Sequence, residues 1–505
     1  MTTMMRSNHR VPGGTCPLVV AATIAASVWL ALPAHAQLGL PQLQPLPQPQ
    51  QAPTTLPTVP GVPVPTVQQG PSALGLPSVL QTPAGQAILP IPQAVPSLQA
   101  LPVPSAVAIP SLPGEQRLPI TPVSDSLRGL VPLQQLRATT VRELLYRHAD
   151  VLEADPMGEP MRRQELLWVS PAPTLLKSAL AMGFTVLREH KLPELNLRGV
   201  VLRPPVGTAT AQALAQLRAL GPEVEVDFNH VYTRSGDTDV GRASAVRNQP
   251  ATALRVGLVD GGVDRQHAAL RGAAVHVWGC DGVARPSAHG TAVASLLVGR
   301  DTAFAGAAAG SALYAADIYC GQPAGGAAEA IALALAWMAR ENVAVVNISL
   351  VGPSNRLLER AVQAMVHKGY LLVAAVGNDG PAAPPLYPAA YAGVVGVTGV
   401  SHEQHVLPEA AHGPQVMFAA LGAGVAVAEP GGGYTLARGT SFAAPLVAGL
   451  LAQGMATPNA ATASAVVARL AANALDLGAP GRDPVFGFGL VGTKDAQVPL
   501  DRPRR

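Results

Sequence analysis

From Ala253 onward the chain repeats one pattern: a short apolar run bounded by turns, then in several places a helical stretch before the next run. The runs are LRVGLV, AVHVW, ALYAADIY, VAVVNIS, LLVAAV and GVVGVT; AAEAIALALAWMAREN and NRLLERAVQAMVHKG are helical stretches between them. Runs with no polar alternation predict strands buried on both faces, as in a parallel sheet covered by helices. This part is therefore predicted to be an α/β domain with a doubly wound parallel sheet. In such folds, ligands sit at the carboxyl ends of the strands.

Polar residues stand at those ends. VGLVDGGVD places Asp260 at the close of an apolar run, and HGTAVASLLVG places His289 at the start of a helical pattern. GTSFAAPLVAG places Ser441 at the mouth of another helix, where outward-pointing N–H groups favour developing negative charge. A carboxylate, an imidazole and a hydroxyl at element edges can act as orienter, base and nucleophile. Taken singly, each has a plainer reading as turn residue, helix-start residue or helix cap.

Together with VAAVGNDG and VVNISL, in this order and at domain-scale spacing, these segments resemble the subtilisin-like (S8) serine peptidases. The terminal GAPGRDPVFGFGLV resembles the way many bacterial members close the domain. The resemblance covers roughly residues 250 to 495. It implies a serine endopeptidase in which Ser441 attacks, His289 carries the proton, Asp260 orients the imidazole and Asn378 donates to the oxyanion. It also implies that Ser349, Leu350, Val351 and Gly352, with Gly377, line the substrate cleft, backbone pairing holding an extended polypeptide. The family often has Gly where Val351 stands and again where Ala389 follows Tyr387-Pro388. The added bulk predicts a preference for a small residue before the cut bond. A silent peptide-binding domain and an esterase are the competing readings; neither explains the whole set.

Residues 124–246 are also globular in composition. VRELLYRHADVLEAD predicts an amphipathic helix. ELLWVS, TLLKSALAMG, FTVLREHKL, LRGVVLRPP, TAQALAQLRALG and EVEVDFNHVY then predict β-α-β-β-α-β, the split ferredoxin-like order. Before a subtilisin-like domain, this resembles the family's inhibitory prodomain, an intramolecular partner that caps the cleft. The polar stretch 233–249 reads as a cleavable linker and 247–500 as the catalytic domain.

The N-terminal quarter is different. Gly and Pro number 50 each, and many of the prolines fall in residues 37–123, a stretch typified by LPQLQPLPQPQQAP. Proline removes backbone donors and fixes φ, so this stretch is predicted to be a disordered spacer. Residues 1–36 carry Arg6 and Arg10, an apolar stretch and Ala34-His35-Ala36, the pattern of a cleaved export signal. The chain is therefore expected to be exported, to periplasm or medium, with no membrane span left after cleavage.

With the signal removed, two cysteines remain. Cys280 and Cys320 are candidates for a disulfide in an oxidising compartment, with separate buried thiols as the alternative. A net charge of +3 without a basic run makes nucleic acid a poor partner. His267, near Asp260, is expected to pack rather than ligate. His276, His367, His402 and His405 lack ligand spacing. No metal or cofactor is expected, structural calcium not being excluded.

Overall fold

The computed structural model describes residues 134–234, 236–239, 254–283, 285–300 and 305–492, all within one compact unit. The expected signal peptide, the Pro-rich spacer and Cys16 lie outside the described residues.

The first domain opens with α1 (Gln134–Arg147), followed by β1 (Leu152–Ala154) and β2 (Pro160–Val169). Next come α2 (Pro173–Ala181), β3 (Thr185–Leu192), β4 (Leu197–Arg203), α3 (Thr210–Arg218) and β5 (Val226–His230). The predicted single helix over VRELLYRHADVLEAD is corrected. The helix starts earlier and stops at Arg147, and Leu152–Ala154 leaves it to pair antiparallel with β2. β5, β2, β4 and β3 lie side by side in that order, all antiparallel, as a ferredoxin-like sheet requires.

Period-two alternation on β2 explains why ELLWV is apolar throughout. Leu166 and Trp168 point into a core with Phe184, Val200, Leu202, Leu214 and Leu217 under the domain's own helices. Leu167 and Val169 point the other way, into the second domain.

That second domain holds β8 (Arg255–Asp260), β9 (Val275–Trp278), α4 (Ala288–Val298), β10 (Ala312–Asp317) and α5 (Ala328–Arg340), reached through β6 (Thr233–Arg234) and β7 (Asp237–Asp239). It continues with β11 (Val345–Ile348), β12 (Leu350–Val351), α6 (Arg356–His367), β13 (Leu371–Ala375), β14 (Val395–Val400) and β15 (Val416–Leu421). β16 (Ala423–Ala428), β17 (Tyr434–Arg438), α7 (Thr440–Ala452) and α8 (Ala460–Ala472) complete it. Seven strands form the predicted parallel sheet, ordered β15-β14-β13-β11-β8-β10-β9.

α4 and α7 pack with one face of this sheet, and α5 and α6 with the other. The outer side of α5 and α6 receives Leu167, Val169, Leu192, Leu195 and Val201 of the first domain, so one continuous core crosses both domains. Among the described residues, no helix is long and apolar enough to cross a membrane.

Candidate active site

β8 ends on Asp260, whose carboxylate is fully buried and accepts the N–H of Gly261 at 2.6 Å. α4 begins beside it. Ser287 caps that helix by accepting the N–H of Gly290 at 3.0 Å. His289 therefore sits in the first turn. Its Nδ1 lies 2.8 Å from Asp260 Oδ2 and 3.0 Å from Oδ1. This bond leaves Nε2 as the acceptor nitrogen, and Nε2 is buried with no partner. Gly290 is required by close approach: a Cβ there would stand 2.3 Å from the carbonyl oxygen of Gly261.

Ser441 is the second residue of α7, after Gly439 at φ 135°, a conformation that favours glycine. Its hydroxyl donates to the carbonyl of Ser349 at 3.2 Å. The reciprocal bond follows from a proline. Pro445, four residues on, has no N–H for the carbonyl of Ser441, and the hydroxyl of Ser349 donates there instead, at 2.9 Å. Asn347 Nδ2 donates to that same hydroxyl at 2.9 Å. Buried Ser349 and Ser441 thus exchange two hydrogen bonds, fixing α7 against the end of β11. Asn378 Oδ1 accepts the N–H of Thr440 at 3.1 Å, which orients the amide at the foot of the same helix.

The chain itself runs past this site in extended form. Val231 bridges Ala327, and the N–H of Tyr232 donates to Gly326 O at 2.9 Å. β6 then pairs antiparallel with β12, Thr233 opposite Val351 and Arg234 opposite Leu350. Gly236 passes over Phe442, next to Ser441; a Cβ on it would lie 2.6 Å from Phe442 Cε2. β7 then joins β17. The stretch 233–249, predicted to be a cleavable linker, therefore begins with two short strands, one paired with β12 and one with β17. Local sequence gave no signal for them, because the pairing partners belong to the other domain.

Of the predicted cleft residues, Leu350 and Val351 meet the extended chain. Gly352 does not pair with it: its N–H and C=O both bond Tyr387, and the fully buried Tyr232 ring covers its Cα. Gly377 faces Leu386 and Val351, its N–H donating to Thr440 Oγ1 at 3.3 Å. Cys280 and Cys320 are joined, with Cα atoms 5.1 Å apart. Both ring nitrogens of His267 are engaged, Nε2 donating to Gly433 O at 2.7 Å and Nδ1 accepting from Ala269 N at 3.1 Å.

A contact the sequence reading missed joins the domains at buried Glu329, in the first turn of α5. Arg188 meets it with two hydrogen bonds of 2.8 Å, His190 Nε2 lies 2.6 Å away and Asn229 Nδ2 2.9 Å. Burial alone would push this carboxyl up, but the hydrogen bonds from Arg188 and His190 outweigh it and hold Glu329 well below the usual carboxylate range.

His289, fixed by Asp260, has its ring 5.3 Å from that of Phe442, the neighbour of Ser441, over a parallel sheet wound on both faces; it is the relatives that make this a serine-type endopeptidase of α/β architecture. Residues 251–489 match the model of the subtilase family. Subtilisin DY of Bacillus licheniformis is 31% identical over 251 residues, covering 48% of this chain and 90% of that protein. Subtilisin BL of Lederbergia lenta is 32% identical over 217 residues, covering 42% of this chain and 80% of that protein. The chain belongs to the subtilase family. Minor extracellular protease Epr of Bacillus subtilis is 32% identical over 206 residues, but the match spans only 32% of its length. Among solved structures, fervidolysin from Fervidobacterium pennivorans has the same fold, with a TM-score of 0.56 at 20% identity over 69% of this chain and 63% of that one.

Proposed function

We propose that this peptidase works through Ser441, His289 and Asp260, with Asn378 and the N–H of Ser441 receiving the oxyanion, and that it is exported as a self-processing zymogen. The observation carrying the reading is His289. Its Nδ1 is committed to Asp260 while its buried Nε2 is unpartnered. In catalysis, the hydroxyl of Ser441 leaves the Ser349 carbonyl and gives its proton to Nε2 as Oγ bonds the substrate carbonyl carbon. The imidazolium, stabilised by Asp260, then returns the proton to the leaving amine as the C–N bond breaks. Water enters by the same route and releases the acyl group. Asn378 donates Nδ2 to the developing charge because its Oδ1 is held by Thr440.

The first domain is the prodomain in this reading. Its tail threads the cleft as a substrate does, and the bond cut lies between Arg234 and Asp237, where the chain leaves one edge and joins the other. A small residue before the cut fits Val351 and Ala389, both buried, with Leu386 and Val351 standing over Gly377. Among the described residues, the only His, Cys and carboxylate cluster with metal-like spacing is Cys280, Asp317 and Cys320, and the disulfide uses both of its thiols.

A fluorophosphonate probe should label the wild-type serine, and Ser441→Ala should leave an unlabelled, uncut precursor. Normal maturation of that variant would refute self-processing. On a peptide panel, Ala or Ser before the cut should be preferred; best cleavage after Phe or Leu would refute the small-residue preference.

A further inference from the structure

The loop after β10 is built more firmly than a surface loop requires. Asp317 ends β10 in register with Asp260 on the neighbouring β8. Its Oδ1 accepts the N–H groups of Tyr319 and Cys320, each at 3.0 Å, and its Oδ2 is buried with no partner. The Cys280–Cys320 bridge ties the loop to the turn after β9. Between these fixings stands Tyr319. Its hydroxyl donates to the carbonyl of Tyr232 at 2.9 Å, and its ring packs against Gly326, where a Cβ would lie 2.6 Å from Cε1.

Arg234 lies over the open face of this ring. Its guanidinium carbon is 4.5 Å from the ring centroid, and its Nε is 4.0 Å from Asp260 Oδ1. The π face attracts a cation, and the two adjacent carboxylates add negative potential from below. Arg234 is also the last residue to pair with β12 before the chain crosses Ser441.

We propose that Tyr319, backed by Asp260 and Asp317, is a specificity-determining residue that selects a cationic side chain, arginine or lysine, on the substrate residue taking the place of Arg234. The inference rests on the peptidase reading above and adds a substrate class to it: polypeptides with a basic residue just ahead of a small one at the cut. The stem of the basic side chain covers the ring while its head reaches the carboxylate edge. An acidic side chain meets only repulsion there.

Two arms test this on the full chain. In the first, Arg234 of the precursor is replaced by Lys, Ala or Glu, and the rate of self-cleavage is followed by mass spectrometry. In the second, quenched peptides reading Tyr-Thr-Xaa-Ser-Gly-Asp, with Xaa as Arg, Lys, Ala or Glu, are given to wild type, Tyr319→Phe and Tyr319→Leu. The expected result is kcat/KM about 3- to 30-fold higher for Arg and Lys than for Ala, with Glu slowest. Tyr319→Phe should keep the ratio and Tyr319→Leu should lose most of it. An even panel on an enzyme still labelled by fluorophosphonate overturns the inference alone. So does unchanged discrimination in Tyr319→Leu, or an Arg234→Glu precursor that matures as fast as wild type. Failure of the wild type to label overturns the peptidase reading and this inference with it.

Discussion

Ser349 ties the end of β11 to Ser441, the proposed nucleophile. Its carbonyl takes the hydroxyl of Ser441, and its own hydroxyl replaces the N–H that Pro445 lacks. Ser349→Ala strands a buried carbonyl and removes the acceptor of Asn347. The expected cost is about 1–3 kcal/mol of stability, together with a fall in kcat larger than any change in KM. Urea unfolding and steady-state kinetics would read both. Unchanged kcat would show that the bond to α7 does not position Ser441. Such a role was not legible from VVNISL, where Ser349 reads only as an edge residue. It depends on a proline far along the chain.

At the scale of elements, legibility follows burial. β11, β13 and β14 are buried throughout, and β8 from Val256 on, so their apolar runs announced them and placed Asp260 at a strand end. β16 and β17, with their Gly- and Ala-rich surroundings, gave no comparable run. β6 and β7 had still less to show, since their partners are edges of another domain. The α4 start was marked by His289 and Gly290, but not the reason for the glycine. Gly290→Ala would drive a Cβ into the backbone of Gly261 and push α4 off the β8 turn. We expect about 1–3 kcal/mol of destabilisation and a loss of kcat as His289 moves from Asp260. Full activity in this variant would contradict the close-packed account.

Over the whole molecule, the two domains share a core and, at Glu329, a buried charge contact. Glu329→Gln removes the charge that Arg188 and His190 meet. If the first domain inhibits as proposed, it should, supplied separately, then inhibit less tightly, by about 3 kcal/mol; this is the low end for a broken buried pair, because Arg188 is 35% exposed. Because Glu329 is depressed in the docked state, its contribution is present above the ordinary carboxylate range. It is lost as pH falls through that range toward the docked value. Inhibition through this contact should therefore hold at neutral pH and weaken in acid. The Gln variant should lose that acid response. An equal acid response in wild type and variant would assign the pH dependence elsewhere.

The strands flanking Ser441 carry one more consequence. In the zymogen proposed above, severing the chain between them would leave β6 with the first domain and β7 on β17, each new end starting out in the groove. Before the cut, tethering gives the tail a high local concentration that no competitor in solution can match. Afterwards, occupancy obeys ordinary mass action. Latency should then persist as a lag that shortens on dilution, or when the freed prodomain is itself digested.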